Sequence, residues 1–176
     1  MKDILILFLL FVSFSLFSCS SSRDQMSGKI TKMESGLKTV AKVDSASVSA
    51  LISAYQNFAT KYPADSLAPE YLFRAAGLAN GFNRGTQAID LYETIIHTYP
   101  GYERIPECYF MEAFAYENVQ GNIGKASEYY NKFLDIYPNH QLADDARAAL
   151  RLLGKTPDEI VGELEKMNAD TVIDGN

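Results

Sequence analysis

Between Gly85 and Pro138 one five-residue pattern occurs twice. Ala88, Tyr92, Ile95, Tyr99 and Pro100 recur as Ala126, Tyr130, Phe133, Tyr137 and Pro138, at intervals of 4, 7, 11 and 12 from the alanine in both copies. The first four positions share one face of a helix, and the proline ends it. A fainter copy lies upstream, where Tyr55, Phe58, Tyr62 and Pro63 keep the intervals and Leu51 stands in the alanine's place. The terminal prolines are 37 and then 38 residues apart. Self-similarity at such a period means stacked helical units, none able to bury its apolar face alone.

The units resemble tetratricopeptide repeats, in which a helix A and a helix B pack as an antiparallel pair. Measured back from the prolines, the A helices begin at Pro69-Glu70-Tyr71-Leu72-Phe73 and Pro106-Glu107-Cys108-Tyr109-Phe110. Proline at the first helical position loses no useful hydrogen bond. The family's small residue at the A/B contact appears as Ala76 and Ala113, its later position as Ala79 and Tyr116, with Gly85 and Gly121 in the turn between helices. The chain departs from the family in a period longer than about 34 residues and in carrying Leu72 and Tyr109 where a tryptophan is usual. The resemblance covers about residues 47–153 and implies an all-α fold, a short solenoid of about seven antiparallel helices. Periodicity puts these helices near 45–61, 67–81, 85–98, 104–120, 123–136, 140–153 and 157–168. The repeat domain is therefore predicted to span 47–168, with a disordered tail over 169–176.

The N-terminus carries a different signal. An apolar run from Ile4 to Phe17, broken by Ser13 and Ser15, is too short to span a bilayer and reads as the core of a signal peptide over residues 1–18. It ends in Leu16-Phe17-Ser18-Cys19, which resembles the lipobox of bacterial lipoproteins. That resemblance implies a diacylglycerol on Cys19 as the first mature residue; the alternative is an ordinary secretory signal with an incidental cysteine. Ser20 stands where an aspartate would retain a lipoprotein in the inner membrane, so the resemblance implies an outer-membrane anchor with the domain facing the periplasm. Lipidation makes the membrane association anchored and not spanning. Residues 19–46, rich in Ser, Lys and Gly, are predicted to form a flexible tether with transient helix. Five basic residues against two acidic between Arg23 and Lys42 give this stretch +3, which suits either an anionic headgroup surface or a plain soluble linker.

Charge then narrows the partners. The whole chain is −6, and with Lys2 and Asp3 cancelling, removal of the +3 stretch leaves −9 for residues 43–176. Such a domain would repel nucleic acid. With Cys19 acylated, Cys108 has no disulfide partner and reads as a small buried hydrophobe. His97 and His140 lack second ligands at metal-binding spacing, and there is no phosphate loop or nucleophile elbow. No enzyme chemistry, cofactor, metal or small-molecule substrate is therefore expected. Asp144-Asp145 point in different directions on a helix and favour its N-terminal half; most of the eleven tyrosines fall on packing positions.

What remains is the inner face that the family uses for ligands, at positions 2, 5, 9 and 12 of each A helix. These are Glu70, Phe73, Gly77 and Asn80, then Glu107, Phe110, Phe114 and Glu117. The expected groove is acidic with exposed aromatics and suits a basic, apolar peptide segment; alternatively Phe73 and Phe110 are buried between helices. The expected function is a protein-binding scaffold of the cell envelope. The stretch Pro106–Leu150 is similar to the repeat lipoprotein of the β-barrel assembly machine and to the periplasmic repeat protein of the Tol-Pal and cell-division system. An accessory peptidoglycan-binding protein is the remaining alternative.

Overall fold

The computed structural model describes residues 22–39, 44–162 and 165, so the expected signal peptide, Cys19 and the tail from 169 lie outside the described residues. Among the described residues there are eight helices and no strand. They are α1 (residues 22–39), α2 (Ser45–Lys61), α3 (Leu67–Gly81), α4 (Gly85–Thr98), α5 (Ile105–Asn118), α6 (Ile123–Ile136), α7 (Ala143–Leu152) and α8, helical over 157–162 and at 165. The fold is thus all-α with helices in a repeat arrangement. Contacts divide the chain into a first unit ending at Ile95 and a second starting at Ile96.

Each Tyr-Pro signature closes a helix in the same way. Tyr62 and Tyr137 cap α2 and α6, donating their N–H groups to the carbonyls of Phe58 and Phe133 at 2.8 Å. The tyrosine carbonyl then accepts from the residue three positions on: Asp65 to Tyr62, Tyr102 to Tyr99, and His140 to Tyr137, at 2.9–3.1 Å. The carbonyls of Asp65, Tyr102 and His140 in turn accept from Ala68, Ile105 and Ala143 at the start of the next helix. Proline suits the second position of each turn because its fixed φ is already that of the turn and no N–H is needed there.

The sharp turns within helix pairs are built differently. Asn83, with φ 58°, occupies the left-handed region after α3. Its N–H bonds the Asn80 carbonyl (3.1 Å) and that of Arg84 bonds Ala79 (2.8 Å), the double closure of a Schellman motif. Gly85, expected in this turn, is instead the first residue of α4 and is buried. Gly121 does take a left-handed φ of 63° after α5, where only glycine is unstrained. Thr156 and Glu159 open α8 as a capping box, each side chain accepting the other's backbone N–H.

In the first unit α2 and α3 run antiparallel. Tyr55 and Phe58 of α2 meet Tyr71 of α3 with ring centroids 5.2 and 4.8 Å apart, and Arg84, just past α3, donates to Ser45 at the start of α2. Ala75, Ala76 and Ala79 are fully buried, small side chains that let helices approach closely. In the second unit Ala113, Ala126, Tyr130, Phe133, Ala143 and Ala146 from α5, α6 and α7 form one apolar cluster. Ala76 and Ala113 thus occupy the packed positions that the repeat pattern predicts.

The expected flexible tether is corrected by α1. Met26, Ile30, Met33 and Leu37 lie at intervals of 4, 7 and 11, the same spacing that marks the other repeat helices. Ile30 is buried to 1% exposure. Glycine and serine on the opposite face gave this stretch its linker-like composition, because composition averages over faces that a helix separates. α1 runs antiparallel to α2: Ser22 accepts from Lys61 and Tyr62 at the end of α2, while Glu34 accepts from the Tyr55 hydroxyl in its middle. It runs alongside α3, where Glu34 also pairs with Arg74. The helix count rises accordingly above the expected seven.

Candidate partner groove

The placement of α1 creates a groove in the first unit. Glu34, Leu37 and Lys38 of α1 form one wall, Arg74, Gly77 and Leu78 of α3 the other, and Leu51 and Tyr55 of α2 the floor. Its volume is about 440 Å³, within the roughly 300–1,000 Å³ of ligand sites. Width comes from Gly77: no atom lies within 4 Å of where its Cβ would stand, so the helix leaves open space there.

One polar network holds the groove together. A single Glu34 oxygen accepts from the Tyr55 hydroxyl at 2.6 Å and from Arg74 at 2.8 Å. Arg74 also donates to Glu70 at 2.7 Å, one helical turn back. Hydrogen bonding to Glu70, and then to Glu34, keeps the Arg74 guanidinium firmly protonated. Burial, reinforced by the Glu34 carboxylate, pushes the Tyr55 phenol well above its ordinary range, so it stays a neutral donor. Arg74 is thereby fixed with its stem along the groove. Lys38 adds a positive charge, so the lining carries Lys38 and Arg74 against Glu34, and the expected acidic groove is not what this unit presents.

The predicted inner-face positions are distributed over several roles. Gly77 lines the groove. Glu70 stands behind it and orients Arg74. Phe73 packs edge-on against Tyr92 of α4, centroids 5.7 Å apart, and Asn80 is buried. In the second unit Phe110 packs edge-on against Tyr130 and Phe133, at 5.5 and 5.8 Å. Glu117 accepts from the Tyr130 hydroxyl at 2.8 Å, and Glu107 faces Arg104 at 3.8 Å. Phe114 alone of the four predicted phenylalanine and asparagine side chains is an exposed large hydrophobic, at 37%. Phe73 and Phe110 are half-buried, each with its ring against an aromatic ring of the following helix. A large ring on a helix flank can reach the neighbouring helix before it reaches solvent, as both of these do. Glu34, Leu37 and Lys38 were missed because their helix was read as tether; the 4-7-11 spacing of Met26 to Leu37 was the signal that could have found them.

Other candidate chemistry resolves into structure. His140 accepts from the Leu142 N–H at 3.2 Å through Nδ1 and stacks edge-on against Phe133 at 5.8 Å, which makes it a turn residue. Cys108 is fully buried, and desolvation pushes its thiol up to about 12. Among the described residues no group of three or more His, Cys, Asp or Glu is placed to hold a metal ion, and no helix is long and apolar enough to cross a membrane.

Residues 107–140, from α5 through α6 to the turn after Pro138, match the family model for the tetratricopeptide repeat. This match supports a tetratricopeptide repeat protein, and such repeats generally bind protein or peptide partners. No curated protein matches the chain.

Proposed function

We propose that this chain is a non-enzymatic scaffold, anchored by a lipid on Cys19 to the periplasmic side of the bacterial outer membrane, that holds a segment of an envelope protein in the groove of its first unit. The observation that carries the reading is the apolar groove between α1 and α3, walled by Leu37 and Leu78 and floored by Leu51 and Tyr55. An apolar anchor side chain of the partner would fill it, as buried anchors supply most of the energy at such interfaces. With Arg74 committed to Glu34 and Glu70, Lys38 on the wall favours a partner segment with an acidic residue beside that anchor, and not the basic segment expected from sequence. A role in outer-membrane protein assembly is the envelope process we propose, on the similarity of Pro106–Leu150 to the assembly-machine lipoprotein.

Two variants test it. Because a Cβ at Gly77 meets nothing within 4 Å, Gly77→Phe should fill the groove without disturbing α3. Crosslinking in cells followed by purification should recover a defined set of envelope proteins with the parent chain and lose it with folded Gly77→Phe. An unchanged set would refute the groove. Cys19→Ala should leave the precursor unprocessed or release the domain from membranes; a variant equally bound and cut at the same site would refute the lipoprotein reading.

A further inference from the structure

The start of α1 is clamped to the body of the first unit. Arg23 grips Asp65 through two hydrogen bonds, Nε to Oδ2 at 2.8 Å and Nη2 to Oδ1 at 3.1 Å. Its guanidinium also lies 5.8 Å from the centroid of the Phe58 ring. Ser22 Oγ accepts from Lys61 at 3.0 Å and from the Tyr62 hydroxyl at 3.1 Å. The first described residue of α1, Ser22, is thus held against the first unit, and in sequence only Ser20 and Ser21 separate it from Cys19. Three peptide steps span at most about 11 Å, against about 27 Å for the eighteen residues of α1. An acyl chain on Cys19 would therefore hold the first unit at the leaflet, with no slack for it to move away.

The charge pattern says which face is turned inward. On α1 the exposed residues include Gly28, Lys29, Thr31, Lys32, Ser35, Gly36 and Lys38. The two acids of α1 are both engaged, Asp24 with Arg23 and Glu34 with Tyr55 and Arg74. The rest of the chain, residues 43–176, carries −9 and is repelled by an anionic surface.

Building on the lipoprotein reading, we infer that the outward face of α1, centred on Lys29 and Lys32, is a membrane-contact surface that rests on anionic phospholipid headgroups. The short link sets the distance, and Lys29 and Lys32 set the orientation by their attraction to anionic headgroups. The apolar stripe of α1 is committed to the first unit through Ile30, so the helix lies on the headgroups without inserting.

The test uses the full lipidated chain, purified from membranes and returned to vesicles of phosphatidylcholine with phosphatidylglycerol. A spin label is placed on Gly28→Cys, where an added side chain meets nothing within 4 Å, or on exposed Thr94→Cys of α4, outside the proposed face, for comparison. The native Cys108 is buried and does not compete for label. Relaxation by nickel-chelating headgroups should be several-fold stronger at residue 28 than at 94. It should fall to the level at 94 when a flexible twenty-residue Gly-Ser insert follows Ser21. Lys29→Glu with Lys32→Glu should lower it in anionic vesicles and leave it unchanged in pure phosphatidylcholine. Equal relaxation at 28 and 94 in a chain that carries lipid and floats with vesicles overturns the contact surface and leaves the anchor standing. A chain with no lipid that fails to float overturns both.

Discussion

Ile30→Ala separates a packed α1 from a tether most directly. Ile30 is 1% exposed and the largest fully buried side chain of its helix. Truncation to alanine removes three carbons, about 2.4 kcal/mol at about 0.8 kcal/mol per methylene. A cavity term adds to this and brings such substitutions to about 2–5 kcal/mol. α1 packs on the unit from one side and can settle into the space, so the lower half of that range, about 2–3 kcal/mol, is expected. For a chain of this size each kcal/mol shifts Tm by about 2–4 °C, so thermal unfolding followed by circular dichroism should show a fall of about 5–10 °C. Hydrogen exchange gives the local readout: amides of residues 26–38 should lose more protection than those of α6. If residues 22–39 were a solvated linker, the change would stay within about 0.5 kcal/mol of zero. An unaltered Tm with unprotected amides in the parent chain would refute the assignment of α1 as a repeat helix.

Further outcomes follow from other sites. Ala113→Leu, at a fully buried α5 position, should overpack the second unit and cost about 1–3 kcal/mol, read as a lower urea midpoint. Gly77→Ala should raise Tm by about 0.5–1 kcal/mol equivalent and keep partner capture, since one methyl does not fill the groove. Cys108, buried with its thiol pushed up to about 12, should be inert to Ellman's reagent at pH 8 in the folded chain and react fully in guanidinium. Arg23 holds the Asp65 carboxyl below its ordinary 3.8. A depressed folded pKa gives stability that is present above that value and lost as pH falls through the folded one. Asp65→Asn should therefore be less stable than the parent at pH 7, and the gap should close as melting is followed down below about pH 3.8.

Helix boundaries were legible where two local signals agreed. The expected 45–61, 85–98 and 123–136 coincide with α2, α4 and α6, where a capping side chain or turn opens each and Tyr-Pro shuts it; the expected 67–81 coincides with α3, between the turn after Tyr62 and the Schellman closure at Asn83. The expected 104–120 and 140–153 overran α5 and α7, whose ends carry no capping side chain. The groove was legible only in part. Period and register singled out Gly77, which lines it, but whether a ring turns to a neighbour helix or to solvent depends on what that neighbour offers, as Tyr92 does for Phe73. α1 was hidden by its solvent face, where two glycines and three lysines outvoted four apolar residues at helical spacing.

The three Tyr-Pro turns have a consequence for how such a chain can change in length. Each joint repeats the same pair of backbone bonds around Tyr62, Tyr99 or Tyr137 and leads into the next helix through Ala68, Ile105 or Ala143. Since the hydrogen bonds are between backbone atoms, the joints are interchangeable couplings. Duplication or excision of the segment between two prolines restores a working junction at the splice. The seam most open to recombination in this chain is thus the turn that follows each Tyr-Pro, and the spacer between couplings is free to drift, as 37 and 38 residues already show.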